Sequence, residues 1–375
     1  MLNSSKKNIL FLLSHQPNPR FVKQIKYLSK NNYIYVIYFE RDSLKTLENE
    51  YLDVVELNLS LGSIENEKII SRIVDYFKSI AMLRKVLSKI SIDNVILNNI
   101  DILLLYKVVN IGTPKVQKTN VVMEISDLRS HAYIKSSKSF LIRKLERYLF
   151  KSVDSLIVTS IKFYELYYNS LIKNKPFVLE NKPLSEMIPE KIAIQKENNK
   201  LIIGIVGLLL QGNPYKTLLE LVKNREDIEV HVYGKGYFTE LIKEYSSKYQ
   251  NIKYFGEYNF FRDSANIYAS LDMIYMPYDT NNGSLNNKIA LPNKLYEAMY
   301  FHTPIITSGG TYTGELVEMY NIGVTVKCCD LEELKYTIQT FSSKKDDIKK
   351  SFFKLDSDVF LADNDYMELE KFLKG

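Results

Sequence analysis

A chain of 375 residues, 46% hydrophobic and 25% charged, is long enough for two domains that each bury a core, and its composition excludes a disordered or fibrous chain. Its net charge of +6 is unevenly spread: residues 1–180 carry 27 Lys and Arg against 17 Asp and Glu, and residues 181–375 carry 23 against 27. The basic half is expected to face an anionic surface or an anionic acceptor; no nucleic-acid motif appears, so nucleic acid is not an expected partner.

The longest apolar run, Leu201–Leu210, is half of a bilayer span, so no segment is expected to cross a membrane. The run Ile9–Leu13 behind Lys6 and Lys7 reads as a strand and not as a signal peptide. Cys328 and Cys329 are adjacent and give neither a disulfide framework nor a metal-ligand spacing, which places the chain in a reducing cytoplasm.

Short apolar runs at Ile9–Leu13, Tyr33–Phe39, Val54–Leu57, Val95–Leu97, Val121–Ile125 and Leu156–Val158 read as strands, with helix-length segments between most of them. That is the rhythm of a parallel sheet covered on both faces, an α/β domain over residues 1–180. Ligands of such sheets meet the loops leaving the carboxyl ends of strands. The first of these loops, Ser14–Arg20, holds His15 and puts Arg20 in the first turn of a helix whose apolar face is Phe21, Ile25 and Leu28. The second, Ser126–His131, sets Asp127 just past a strand end with His131 four residues on. A general base or an anchor for an acceptor hydroxyl belongs there, although Asp127 could equally cap the next helix. The third stretch, Lys135–Lys151, is a basic amphipathic helix that suits either an anionic lipid surface or a core-packed position with a solvated basic face; Ser79–Lys89 offers a second.

Asn181-Lys182-Pro183, Pro189 and the polar run Gln195–Lys200 mark residues 181–200 as a linker. A second domain over residues 201–341 opens on the strand Leu201–Val206 and on Gly207, where backbone amides can approach a phosphate. Gly204, Gly207 and Gly212 do not make a dinucleotide fingerprint, and Lys216 is the only cation nearby. Further strands are expected at Ile228–Tyr233, Ile252–Phe255 and Met273–Met276, with Gly234 in a Tyr-Gly-Lys-Gly turn. The polar loop Asn281–Asn287, including Ser284, is expected to cover a ligand.

Leu291–Thr307 reads as a helix, a reversal and a buried strand. Pro292 suits the first helical position, and the free amides of the turn that follows make an anion site. At about 100° per residue Leu291, Leu295, Ala298 and Met299 share the core side. Asn293, Glu297 and Tyr300 point away, with Lys294 at the margin. A nucleotide diphosphate fits that geometry: phosphates at the helix start and Lys294, vicinal ribose hydroxyls on Glu297. The tail, residues 342–375, is helical in pattern. Its Asp356/Asp358 and Asp363/Asp365 pairs follow no apolar strand, so no metal site is expected there.

Pro292, Lys294, Glu297, Ala298, Met299, Pro304, Ile305 and Ile306 match a run that resembles the nucleotide-sugar motif of GT-B glycosyltransferases, most nearly family 4. Asn18-Pro19-Arg20 resembles the opening loop of some members, Glu124–Leu128 resembles capsule and O-antigen enzymes, and Tyr233–Gly236 resembles the turn beside the nucleotide base. Four positions depart from the pattern. Ile289 stands where many members have a Glu for the donor sugar, Leu208 and Leu209 where an Arg is common, and His302 where Gly is usual, although His tolerates the left-handed conformation of a helix end. The resemblance implies two Rossmann-like doubly wound domains facing across a cleft, with the tail returning to the first. It implies transfer of a sugar, with retention, from a UDP- or GDP-sugar to a glycan carried on a lipid such as polyprenyl diphosphate. The setting would be cell-surface polysaccharide synthesis at the cytoplasmic face of the plasma membrane, with no cofactor or metal. His15 would meet an acceptor sugar and Arg20 an acceptor phosphate. The alternatives are a UDP-sugar 2-epimerase of the same fold and a non-catalytic partner module.

Overall fold

The computed structural model describes residues 6–40, 51–63, 69–111, 119–193 and 200–375. The chain divides into two units, Met1–Glu180 with Asp365–Gly375, and Asn181–Asn364. In the first, β1 (Asn8–Leu13), β2 (Tyr33–Glu40), β3 (Leu57–Ser63), β4 (Asn94–Asn98), β5 (Asn120–Ile125), β6 (Ser155–Val158) and β7 (Phe177–Val178) form one sheet in the order β3-β2-β1-β4-β5-β6-β7. Every neighbouring pair is parallel. Helices α1 (Pro19–Ser29), α2 (Ile69–Leu87), α3 (Ile100–Val109), α4 (Ser137–Leu149) and α5 (Ile161–Leu166) make the crossovers. Helix α1 starts where it does because Asn18 accepts a hydrogen bond from the Phe21 amide and Pro19 presets the first turn, while Phe21, Ile25 and Leu28 are buried.

The expected strand at Val54–Leu57 is displaced. Leu52–Val54 forms a 3-10 turn, and the strand begins only at Leu57, where Leu57, Leu59 and Leu61 alternate along a sheet edge.

The second unit repeats the winding. Strands β8 (Leu201–Val206), β9 (Ile228–Tyr233), β10 (Ile252–Gly256), β11 (Met273–Met276), β12 (Ile305–Ser308) and β13 (Gly323–Val326) lie in the order β10-β9-β8-β11-β12-β13, all parallel. They alternate with α6 (Gly212–Val222), α7 (Thr239–Lys248), α8 (Phe260–Ser270), α9 (Leu285–Ile289), α10 (Asn293–Phe301), α11 (Tyr312–Met319) and α12 (Leu331–Phe352). In both units the strand order reverses beside the first strand, between β1 and β4 and between β8 and β11. Such a switch point opens a crevice at the carboxyl ends of the strands.

Residues of the expected linker run along the second unit: Lys182 Nζ donates to the Asp358 carbonyl at 2.8 Å and the Ala362 amide to the Pro183 carbonyl at 2.9 Å. Its stretch Gln195–Asn199 lies outside the described residues. The Asp-x-Asp pairs serve the backbone here, Asp356 accepting from the Asp358 amide and Asp363 from the amide and hydroxyl of Ser185. Helix α13 (Asp363–Lys374) packs in the first unit, where Asn94 Nδ2 donates to the Leu373 carbonyl at 2.9 Å and the buried Tyr366 ring lies 4.9 Å from Tyr27.

Candidate functional site

In the second unit the site is built at the crevice between β8 and β11. The turn after β8 needs Gly207 for two reasons: its φ is +104°, and a Cβ there would stand 2.5 Å from Lys294 Cε. The Lys294 stem therefore lies directly across the turn. Gly234, after β9 with φ +127°, packs against the Gly207 carbonyl, and a Cβ would drive into that oxygen. The three positions close on one another with no space for a methyl group.

Lys294 Nζ sits 2.9 and 3.0 Å from the two carboxylate oxygens of Glu297, and Tyr268 on α8 donates to Glu297 Oε2 at 2.8 Å. Glu297 is 4% exposed, which corrects its expected outward placement. The helical projection is right about which side it takes, but Tyr268 and Tyr258 cover that side, so Glu297 sits in a polar cage and not on a solvent face. Burial acts to lower the Lys294 pKa, but the Glu297 charge and Tyr258 outweigh it and hold the ammonium above its ordinary value. Burial, then the Glu297 carboxylate, push the Tyr268 phenol well up, so it remains a donor.

Pro292 is the residue preceding the helix, not its first member, and Asn293 opens α10, exposed and accepting from Asn181. Of the first amides of α10, that of Leu295 donates to the Pro292 carbonyl at 3.1 Å, and those of Asn293 and Lys294 start beside the Lys294–Glu297 pair. Beside the Gly207 and Gly234 turns a pocket of about 760 Å³ is lined by Leu208, Leu210, Gly236, Tyr237 and Tyr254, a size that suits a small organic ligand. Lys216 does not join this group: it is exposed on α6, and its charge is felt at Glu220, whose first partner is Lys223, and at Glu244, whose first partner is Lys248. The expected loop Asn281–Asn287 is partly helical, with Ser284 capping α9 through the Asn287 amide at 3.3 Å. Ile289, in α9, is buried.

In the first unit the loops after β1, β4 and β5 converge at the other crevice. Ser14 donates its amide to Asn98 Oδ1 at 2.8 Å, Asn99 Nδ2 donates to Ser14 Oγ at 2.6 Å, and His15 Nε2 lies 3.4 Å from Asn98 Nδ2. Asn99 adopts φ +68° and ψ 149°, outside the left-handed helical region and close to a conformation otherwise left to glycine. Arg129 reaches its Oδ1 from the loop after β5 at 2.5 Å. Asp127 is exposed and caps neither following helix, since Arg129 precedes the 3-10 turn Ser130–Ala132 and Ser136 caps α4. His131 turns inward, with Nε2 3.1 Å from Glu146 Oε2, which also accepts from Tyr167. Arg20 is not displayed to a ligand: at 7% exposure its Nε donates to Glu124 at 2.6 Å and its Nη2 to the Leu179 carbonyl at 3.1 Å. A long side chain on the first helical turn can fold under its own sheet, and Glu124 on β5, 104 positions away, is what draws it there. An exposed cation at these loops is Arg129, which sequence reasoning missed along with Asn98, Asn99 and Tyr268.

Two Rossmann-like units with the cage around Glu297 define the class of fold as GT-B. Residues 208–343 match the family described as glycosyl transferases group 1, a stretch that takes in Lys294 and Glu297. No curated protein sequence matches the chain. Among solved structures, Anabaena Alr3699/HepE in complex with UDP-glucose is 14% identical, with 98% of this chain and 99% of that one covered and a TM-score of 0.70. WaaG, a glycosyltransferase involved in lipopolysaccharide biosynthesis, is 14% identical over 98% of this chain and 100% of its own, with a TM-score of 0.70. A UDP-N-acetylglucosamine 2-epimerase is 13% identical over 92% and 90%, with a lower TM-score of 0.59. Identities this low speak for the fold, and the group 1 match adds the class: the chain is a glycosyltransferase of GT-B architecture.

Proposed function

We propose that the chain moves a sugar from a nucleotide diphosphate sugar, UDP- or GDP-linked, onto a lipid-linked glycan during cell-surface polysaccharide synthesis, at the cytoplasmic face of the plasma membrane. The observation that carries this reading is the Lys294–Glu297 pair pressed against the Gly207 turn at the start of α10. On donor binding Lys294 would exchange its carboxylate for the diphosphate, joined by the first amides of α10. Glu297, still held through one oxygen by Tyr268, would be freed to accept two ribose hydroxyls. The pocket beside Tyr237 and Leu208 has the size for the base.

Cleavage of the anomeric carbon–oxygen bond leaves charge on the diphosphate, and Lys294 with the helix dipole stabilises it. The acceptor hydroxyl forms the new bond, its proton passing to the departing phosphate or to Asp127. His15 and Asp127 are proposed to hold the acceptor sugar, with Arg129 in place of Arg20 for an acceptor phosphate. The test is nucleotide release from a panel of UDP- and GDP-sugars with and without a polyprenyl-diphosphate-linked glycan. Release that requires the acceptor supports transfer. Conversion of a UDP-sugar to its epimer without an acceptor would assign the chain to the epimerase reading, and silence with every donor would leave a non-catalytic module.

A further inference from the structure

We infer that the outer face of α4 inserts into the surface of an anionic phospholipid bilayer. This deepens the reading above by naming the lipid-facing element and the mode of contact, and it rests on the packing of α4 alone. The inner side of the helix is fixed: Ser139, Glu146 and Leu149 are buried, Glu146 takes bonds from His131 and Tyr167, and Arg143 donates to the carbonyls of His131 at 2.6 Å and Ile134 at 3.1 Å. Arg143 therefore belongs to the fold and not to the basic surface. The outer side shows Phe140 at 60% exposure, Leu141 at 64%, Leu145 at 41% and Tyr148 at 58%. Lys138, Lys144 and Arg147 stand among them, exposed, and no acidic side chain shares that arc. Lys107 from α3 adds a further ammonium 4.1 Å over the Tyr148 ring.

A solvated helix face has no use for four large apolar side chains, and a generic protein partner has no need of unbroken positive charge. Together the two features fit headgroups that are anionic over acyl chains that are apolar. Among the described residues no helix is long and apolar enough to cross a membrane, so contact is at the surface. An interfacial helix sinks roughly 5–10 Å into the headgroup and acyl boundary. Arg143 ties α4 to the turn carrying His131, so the loop after β5 would ride about one helix diameter, on the order of 10 Å, from the lipid plane. A sugar on a membrane-bound diphosphate would meet that loop without leaving the headgroup layer.

The chain has no tryptophan, so Phe140→Trp supplies a single indole, excited selectively at wavelengths where tyrosine does not absorb. With vesicles of phosphatidylglycerol and phosphatidylcholine its emission should shift to the blue and be quenched by brominated acyl chains; unshifted, unquenched emission overturns insertion. In flotation, the parent should rise with these vesicles and far less with phosphatidylcholine alone. Leu141→Ser with Leu145→Ser should weaken binding at least roughly tenfold at both low and high salt. Lys138→Gln, Lys144→Gln and Arg147→Gln together should weaken it mainly at low salt. All of these positions are exposed, and unchanged thermal melts confirm that the variants fold. A parent that ignores anionic vesicles, or a serine variant that floats like the parent, overturns the proposal. So does a dimer in sedimentation that the serine variant dissolves while flotation is absent, since the face would then belong to a second copy. Flotation uses neither donor nor acceptor, so its failure leaves sugar transfer standing, and a failed transfer assay leaves the lipid contact standing.

Discussion

Glu297 carries two roles that substitution can separate. Replacing it with Ala strands the Lys294 ammonium, whose side chain is 19% exposed, without its counter-charge, a loss on the order of 3 kcal/mol. Glu297→Gln keeps the shape and an acceptor for Tyr268, so it should remain folded yet bind UDP or GDP about tenfold more weakly, with calorimetric titration as the check. Equal affinity in the folded Gln variant would remove the ribose role. Asp127 is the opposite case, since it is exposed and caps no helix. Asp127→Asn should leave the thermal melt and donor binding intact and lower transfer tenfold or more, roughly what a charged hydrogen bond or general base contributes. Full transfer in the Asn variant would return the acceptor role to His15. Lys294 and Glu297 were legible from their spacing on one helix. Arg20 was not, because its partner Glu124 lies on a distant strand, a tertiary contact that no local pattern encodes, and Lys216 falls on the exposed side of α6, four residues before Glu220.

At the scale of the element, α10 depends on how it ends and on what its N-terminal turn touches. His302 closes the helix in the left-handed region, φ +56°, with its amide bonded back to Ala298 and Met299. Its ring stacks on Phe352 and lies 2.9 Å from Lys191 Nζ; burial first, and then the Lys191 charge, lower its pKa to about 4. A histidine whose folded pKa lies below its unfolded value of about 6.5 contributes stability that is whole above 6.5 and lost as pH falls towards 4. His302→Asn can keep the left-handed turn without titrating, so its urea midpoint should fall less than the parent's between those pH values. The Gly234 turn allows no such exchange. Gly234→Ala needs both a left-handed alanine and a displaced Gly207 carbonyl, and should cost at least 1–3 kcal/mol in a chemical melt along with most nucleotide affinity. The helix and strand of α10 and β12 could be read from sequence because apolar period, proline and helix end agreed. The loop before them could not, since five residues of α9 capped by Ser284 are too short to show a period.

At the scale of the whole molecule, two sheets wound in the same order each carry their own core, and the apolar runs of both were visible as a parallel-sheet rhythm. The return of α13 to the first unit shows less directly, because Tyr366 and Phe372 have partners, Tyr27 and Phe177, that sequence spacing does not point to. If nucleotide binds only the folded second unit, UDP at a hundred times its dissociation constant should add about 2.7 kcal/mol to that unit's stability. Scanning calorimetry should show the gain, and where two transitions separate, in one of them only. The contact of Gly207 with Gly234 and the Lys294 stem reaches further, into the routes by which this sequence can change. Position 294 can shorten without meeting this obstacle, whereas a methyl group at 207 needs a shortened 294 and still bears the strain of its left-handed backbone, so the reverse order passes through a more damaged protein. In a set of related chains, a residue other than glycine at 207 should therefore appear only where 294 is no longer lysine, so that the order of substitutions, and not only their sum, is written into the descent of the site.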